Sequence, residues 1–249
     1  MSLQSITFLT GLLLIWSLLL QALEERWFFK KLNPLLQPWS SSSFLQIEGL
    51  ILMAAGLCLM DLHESAPYLL FFGALSLLLD RLRLRWKLKG PLSGGSDQVT
   101  LLTLTCFTLA TGVLAFEIDE RIAKVAMAYL GLQTLLSYVL AGFAKLKSQD
   151  WRQGRVLQEI LFHSQYPVPR KLRMKTRPKN LGALQLLSWL VLFFELSFVL
   201  VLFDFRLLAI WMPLAFIFHL LNTYLFGLHR FTWSWLAAYP ALFYFASLI

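Results

Sequence analysis

Four residues able to do acid–base or hydrogen-bond chemistry stand inside runs that are otherwise apolar. Lys145 closes the run Ala141-Gly-Phe-Ala-Lys-Leu-Lys, and Glu195 stands within Leu192-Phe-Phe-Glu-Leu-Ser-Phe. His219 and Asn222 lie three apart in Phe218-His-Leu-Leu-Asn, a spacing that puts them on one face of a helix. A charged side chain at mid-bilayer costs at least about 2.5–3.5 kcal/mol on insertion scales, so each such residue needs a partner or a task. The task open to this set is proton handling. A lysine kept neutral in apolar surroundings is a base, and the carboxyl, imidazole and carboxamide can hold a polar substrate. Plainer roles compete: Lys145 can snorkel to the interface, His219 and Asn222 can join helices, and Glu195 can sit protonated beside a neighbour. No metal is expected, because His63, His163, His219 and His229 show no paired ligand spacing. There is no glycine-rich phosphate loop and no G-x-S-x-G.

The elements that must position these residues are membrane helices. Of 249 residues, 58% are apolar and 14% charged, with a mean hydropathy of +0.65. Soluble domains are about 45–50% apolar and about 25% charged, so an ordinary soluble protein is excluded, and so is a disordered chain. At about 20 apolar residues per crossing, eight spans read from the sequence: 6–23, 44–60, 66–79, 99–116, 122–144, 181–203, 207–226 and 231–248. The third is short and the eighth holds Pro240. The expected fold is all-α: an integral membrane bundle of about eight transmembrane helices with one interfacial amphipathic helix, forming a single domain over 1–249. The first run has no basic residue before it, so it reads as a helix and not a signal peptide.

The charge is +8 and the pI about 9.7. Of the 22 Lys and Arg residues, all but Arg121, Lys124 and Arg206 fall in the connections after spans one, three, five and seven. The opposite connections carry Asp61, Glu64, Glu117, Asp119, Glu120 and Asp204. The positive-inside rule therefore puts both termini outside and the basic loops in the cytoplasm, as in a bacterial inner membrane. The run Arg81-Leu-Arg-Leu-Arg-Trp-Lys-Leu-Lys has the alternation of a nucleic-acid strand, but beside a span it reads as a contact for anionic headgroups. The partner is the lipid bilayer, and no nucleic acid is expected. In the cytoplasmic loop at about 146–180, residues 151–162 read as an interfacial helix capped by Ser148, ended by Pro167 and Pro169, and followed by a basic tract at 170–179. Gly94-Gly-Ser-Asp reads as a turn, with Ser96 or Asp97 capping span four. Cys58 and Cys106 read as two buried thiols.

Two stretches resemble a known family. One is Tyr138-Val-Leu-Ala-Gly-Phe-Ala-Lys-Leu-Lys-Ser-Gln-Asp-Trp-Arg-Gln-Gly154, with its tyrosine, alanine-glycine, lysine-leucine, tryptophan and glycine. The other is Phe218-His-Leu-Leu-Asn-Thr-Tyr-Leu-Phe-Gly-Leu-His-Arg-Phe-Thr-Trp-Ser-Trp-Leu-Ala-Ala-Tyr-Pro-Ala-Leu-Phe243. Both are similar to the membrane part of vitamin K-dependent gamma-glutamyl carboxylase, within the wider HTTM (horizontally transferred transmembrane) family. Glu195-Leu-Ser resembles an acidic-Leu-Ser step in the preceding helix of that family. The first half of the chain resembles it only by hydropathy and around residues 93–102.

The resemblance implies a quinol-linked enzyme. In the carboxylase, the lysine of the Lys-Leu pair deprotonates vitamin K hydroquinone. Oxygen then converts the quinol to a basic alkoxide, which leaves as the epoxide. That base removes a gamma proton from a peptide glutamate, and carbon dioxide adds. Lys145 takes the position of the base, with His219 as a second catalytic residue. Asn222, Glu195 and Tyr138 would hold the cofactor, a reduced quinone (vitamin K hydroquinone or menaquinol), and a prenyl tail would suit the apolar bundle. There are departures. The histidine that precedes the carboxylase's fourth span has no counterpart in Gly94-Gly-Ser-Asp-Gln98, the step from Lys-Leu to Trp is one residue longer, and the large lumenal portion is absent. The resemblance therefore also admits a non-enzymatic maturation factor or scaffold for a secreted peptide or partner protein, since a fold can be kept while its chemistry is lost.

Overall fold

A computed structural model describes residues 2–32, 44–88, 95–163, 181–226 and 229–249. Among them it is helical without strands. The helices are α1 (Leu3–Leu32), α2 (Phe44–Cys58), α3 (Ala66–Leu88), α4 (Gly95–Ala115), α5 (Glu120–Lys147), α6 (Gln149–Arg152), α7 (Arg155–His163), α8 (Gly182–Ser197), α9 (Leu208–Phe226) and α10 (His229–Ala246). Two short 3-10 helices, Phe198–Leu202 and Phe205–Leu207, join α8 to α9. Among the described residues, five segments are long and apolar enough to cross a membrane: Leu3–Leu23, Gly95–Ala115, Glu120–Lys147, Gly182–Leu202 and Phe205–Tyr224. The apolar part of α2, Leu45–Cys58, is shorter. The eight expected runs are largely helical, the sixth being shared between α8 and a 3-10 helix, but five and not eight segments among the described residues have bilayer length. The basic run after span three continues α3 as helix to Leu88, so it is no strand.

The chain forms two compact units, Met1–Leu132 with His229–Leu248, and Gln133–Leu228 with Ile249. In the first, α1 buries Leu3, Thr7, Thr10, Leu14, Ser17 and Gln21 at alternating steps of three and four, a helical stripe. Against it pack α10, α4 and α2. Helices α2 and α3 meet backbone to backbone: a Cβ on Gly73 would lie 2.7 Å from Met53 N, and one on Gly49 2.8 Å from Gly73 O. Without a hydrophobic effect between helices in lipid, such close approach is what gains van der Waals contact. Around it Leu14, Leu18, Met53, Leu70, Leu77, Leu104 and Phe107 form one core, and Ile6, Met127, Leu130, Ala238 and Ala241 belong to another.

Helix α4 buries hydroxyls that return to their own backbone. Thr103, Thr108 and Thr111 donate to Val99 O, Leu104 O and Phe107 O at 2.8, 2.7 and 2.9 Å. Its far end closes with Glu117 at φ 50° and Ile118 N donating to Val113 O at 3.0 Å, which satisfies a terminal carbonyl. Its start corrects the capping expectation: α4 begins at Gly95, so Ser96 and Asp97 lie buried within the first turn. A second correction concerns Cys58, which is exposed while Cys106 is buried. The buried positions at the end of α2 are Met53, Gly56 and Leu57, and Cys58 falls off that face.

In the second unit, the later half of α5 leads through α6 and α7 to α8, the 3-10 helices and α9. The expected single amphipathic helix over 151–162 is two helices broken at Gln153–Gly154. Ser148 caps the first, accepting from Trp151 N at 3.4 Å. Gly154 ends it at φ 73°, where a side chain is strained, and a Cβ there would lie 2.6 Å from Gln185 N. The break therefore seats α6 and α7 directly on the start of α8. The expected prolines and basic tract at 167–179 fall outside the described residues.

Candidate functional site

Within the second unit, one side chain from α5 meets one from α8 as a closed ion pair. Lys145 Nζ donates to both carboxylate oxygens of Glu195, at 2.7 and 2.8 Å. The Glu195 side chain is only 4% exposed and that of Lys145 20%, so the carboxylate lies behind the ammonium. Glycine makes the approach possible. A Cβ on Gly142, one turn before Lys145, would lie 2.9 Å from Leu196 Cγ and 3.1 Å from Glu195 Cβ. With hydrogen there, α8 comes close enough for a lysine three residues on to reach the carboxylate. The ammonium also lies 5.2 Å from the centroid of the Trp151 ring, brought over it by the Ser148 turn. A buried pair is costly to desolvate and holds only where geometry and further contacts are good, as they are here.

Two turns back along the same face of α5, Tyr138 makes a second polar pair. Its hydroxyl lies 2.7 Å from His219 Nε2 on α9. The Tyr138 ring stacks flat on Phe198, centroids 4.0 Å apart and 4° from parallel. Phe194 stands edge-on to both rings and tilts against Phe218. Since Phe194 precedes Glu195 and Phe198 follows it by three, this aromatic cluster fixes the turn of α8 that carries the carboxylate. Helix α9 is tied to the same turn by Trp211 Nε1, which donates to Ser197 Oγ at 3.0 Å.

The residues singled out in the sequence thus fall into two pairs. Lys145 meets Glu195, and Tyr138 meets His219. His219 is 1% exposed and sits with the aromatic cluster. Asn222, three residues on, is half-buried on α9, and no hydrogen bond to it is formed among the described residues. Among those residues, no three His, Cys, Asp or Glu side chains gather as a metal set.

Sequence reasoning missed two residues here. Trp151 reads in sequence as one apolar residue of an amphipathic helix, and its contact with Lys145 depends on the cap and break around it. Ser188 is fully buried on α8, and serines in apolar runs are too common to flag. A signal for Ser188 was present in its spacing of seven from Glu195, two turns along one face.

A chain whose described residues are helical without strands, with five bilayer-length apolar helices among them and a buried lysine–glutamate pair, is an integral membrane protein. It belongs to the HTTM family: the HTTM domain matches residues 107–246, more than half of the chain and all of the site. The likeness of its second half to the carboxylase membrane part is consistent with that membership. No curated protein and no solved structure matches the chain.

Proposed function

We propose that the chain is a membrane enzyme that oxygenates a reduced quinone to drive glutamate carboxylation or a related modification of a peptide. The observation that carries this is the buried Lys145–Glu195 pair. Such a pair is a proton store. It is neutral overall as ammonium and carboxylate, and equally so as amine and carboxylic acid, and in the second form Lys145 Nζ is a base. The partly open ammonium face fits a hydroxyl-bearing ring arriving from the lipid side, while Glu195 stays shielded. A bound quinol would supply the hydroxyl proton and the electrons that reduce oxygen. The chain's own part is to accept that proton at Nζ, hold it against Oε1 and Oε2, and keep water away with Trp151 and the Phe194–Phe198 cluster. The positive-inside charge pattern supports an orientation with both termini outside and Lys145 at the cytoplasmic end of α5.

The test is direct. The purified protein receives a reduced naphthoquinone and oxygen, and the epoxide is sought by mass spectrometry. Lys145→Arg keeps an ion pair but cannot release its proton, so it is expected to remain folded and form no epoxide. Full turnover by that variant would end the base assignment. A second reading, a non-enzymatic maturation factor for a secreted peptide or partner subunit, is favoured by one observation: both charges of the pair are already satisfied. Under it, Glu195→Ala lowers thermal stability and no epoxide forms in any variant.

A further inference from the structure

In the unit that holds the ion pair, two buried polar atoms find no hydrogen-bond partner among the described residues. Ser188 Oγ and Gln153 Oε1 are both buried without a hydrogen-bond partner, and Ser188 is 0% exposed. Serine and threonine hydroxyls in these helices ordinarily bond back to their own backbone. Ser137, Ser197 and Thr108 do so at 2.6, 2.8 and 2.7 Å. Ser188 does not, although the carbonyls before it are available in the same way.

Gln153 precedes the glycine that packs on Leu184–Gln185, and Ser188 stands one turn on from Leu184, about 6 Å along the helix. The buried face of α8 carries Leu184, Ser188, Leu192 and Glu195. The segment from Gly142 to Gly154 closes on α8 at both ends of that face, at Glu195–Leu196 through Gly142 and at Leu184–Gln185 through Gly154. The two contacts are about 16 Å apart along the helix. Ser188 lies between them, one turn from Leu184 and two from Glu195.

We propose that Ser188 and Gln153 bind one hydroxyl group two turns of α8 from Glu195, and that this site selects the reduced over the oxidised form of the ring. The inference rests on the quinol reading above. The hydrogen-bond inventory decides the chemistry. Ser188 has a proton to give, and Gln153 Oε1 has lone pairs to fill. A hydroxyl accepts from the first and donates to the second. A quinone carbonyl or an ether accepts only and leaves Gln153 Oε1 bare, and an ammonium donates only. A resident water has the same chemistry as a phenolic hydroxyl, and the measurement separates these two sources.

The experiment uses the full chain in nanodiscs under nitrogen, so that nothing turns over. Melting temperature and affinity are measured with 1,4-naphthohydroquinone, its dimethyl ether and 1,4-naphthoquinone, for wild type, Ser188→Ala and Gln153→Leu. The expected result is about 10-fold tighter binding of the hydroquinone by wild type, the worth of one hydrogen bond, with the preference lost in both variants. If the occupant is water, Ser188→Ala melts lower without ligand and ring preference is the same in all three proteins. The proposal falls if Ser188→Ala melts at or above wild type and no preference exists, because removing an orphaned hydroxyl from an empty site is then a gain. Epoxide formation with unchanged preference in both variants sinks this site and leaves the quinol reading standing. A hydroquinone preference together with full turnover by Lys145→Arg does the reverse.

Discussion

The two units bury polar groups in different ways. In the first, Thr103, Thr108 and Thr111 of α4 return to their own helix, and neutral hydroxyls also cross between helices, Thr100 with Ser234 at 2.9 Å and Ser76 to Leu45 O at 2.8 Å. In the second, the polar groups reach across: Lys145 to Glu195 from α5 to α8, and Tyr138 to His219 from α5 to α9. A hydroxyl that satisfies itself can be buried anywhere in a membrane helix and says little about purpose. A charge that requires a partner from another helix constrains the whole unit, and such a constraint is kept where the charge has work to do.

Five substitutions would break or sharpen this contrast. The largest effect is expected at the ion pair. Lys145→Met strands a carboxylate in apolar surroundings and should cost about 3–5 kcal/mol in thermal or denaturant unfolding. Lys145→Met with Glu195→Leu should recover most of that loss while abolishing any turnover. If the double variant is no better than the single one, the cost is packing and the contrast fails.

Next comes a purely steric change in the first unit. Gly73→Val drives a side chain into the Met53 backbone and should cost about 1–3 kcal/mol by splaying α2 from α3. Epoxide formed per folded molecule should be unchanged, and a specific loss of turnover would bring the first unit into the chemistry. Smaller again is Tyr138→Phe, which keeps the stack on Phe198 but removes the bond to His219. About 1 kcal/mol should be lost on melting. The smallest effect is expected for Thr108→Val, under about 0.6 kcal/mol, because its bond closes within one helix turn. A larger loss there would mean that the Thr108 hydroxyl also joins helices.

Much of the helical fold was legible. Apolar runs of bilayer length name the helices, since no other regular structure satisfies an isolated backbone in lipid. Lys145, Glu195 and His219 stood out because ionisable residues inside such runs are costly. Their pairing was not legible. Nothing in the sequence says that His219 meets Tyr138, or that Asn222 is left aside on the same face. The break at Gly154 was also hidden, because residues 151–162 keep a helical apolar pattern on both sides of it.

The sequence by itself determined that this chain lives in a membrane, that it is helical, and that a few ionisable groups within it demand a reason. These follow from composition and from the cost of charge in hydrocarbon, which are local properties. Only the tertiary structure decided which groups meet. Pairing across helices depends on where backbones can approach, and here that is set by Gly142 and Gly154, whose missing side chains let α5 and the turn after α6 close on α8. Ser188 and Gln153 Oε1 are buried there without partners, a property of the folded chain that no local pattern of apolar and polar residues reveals.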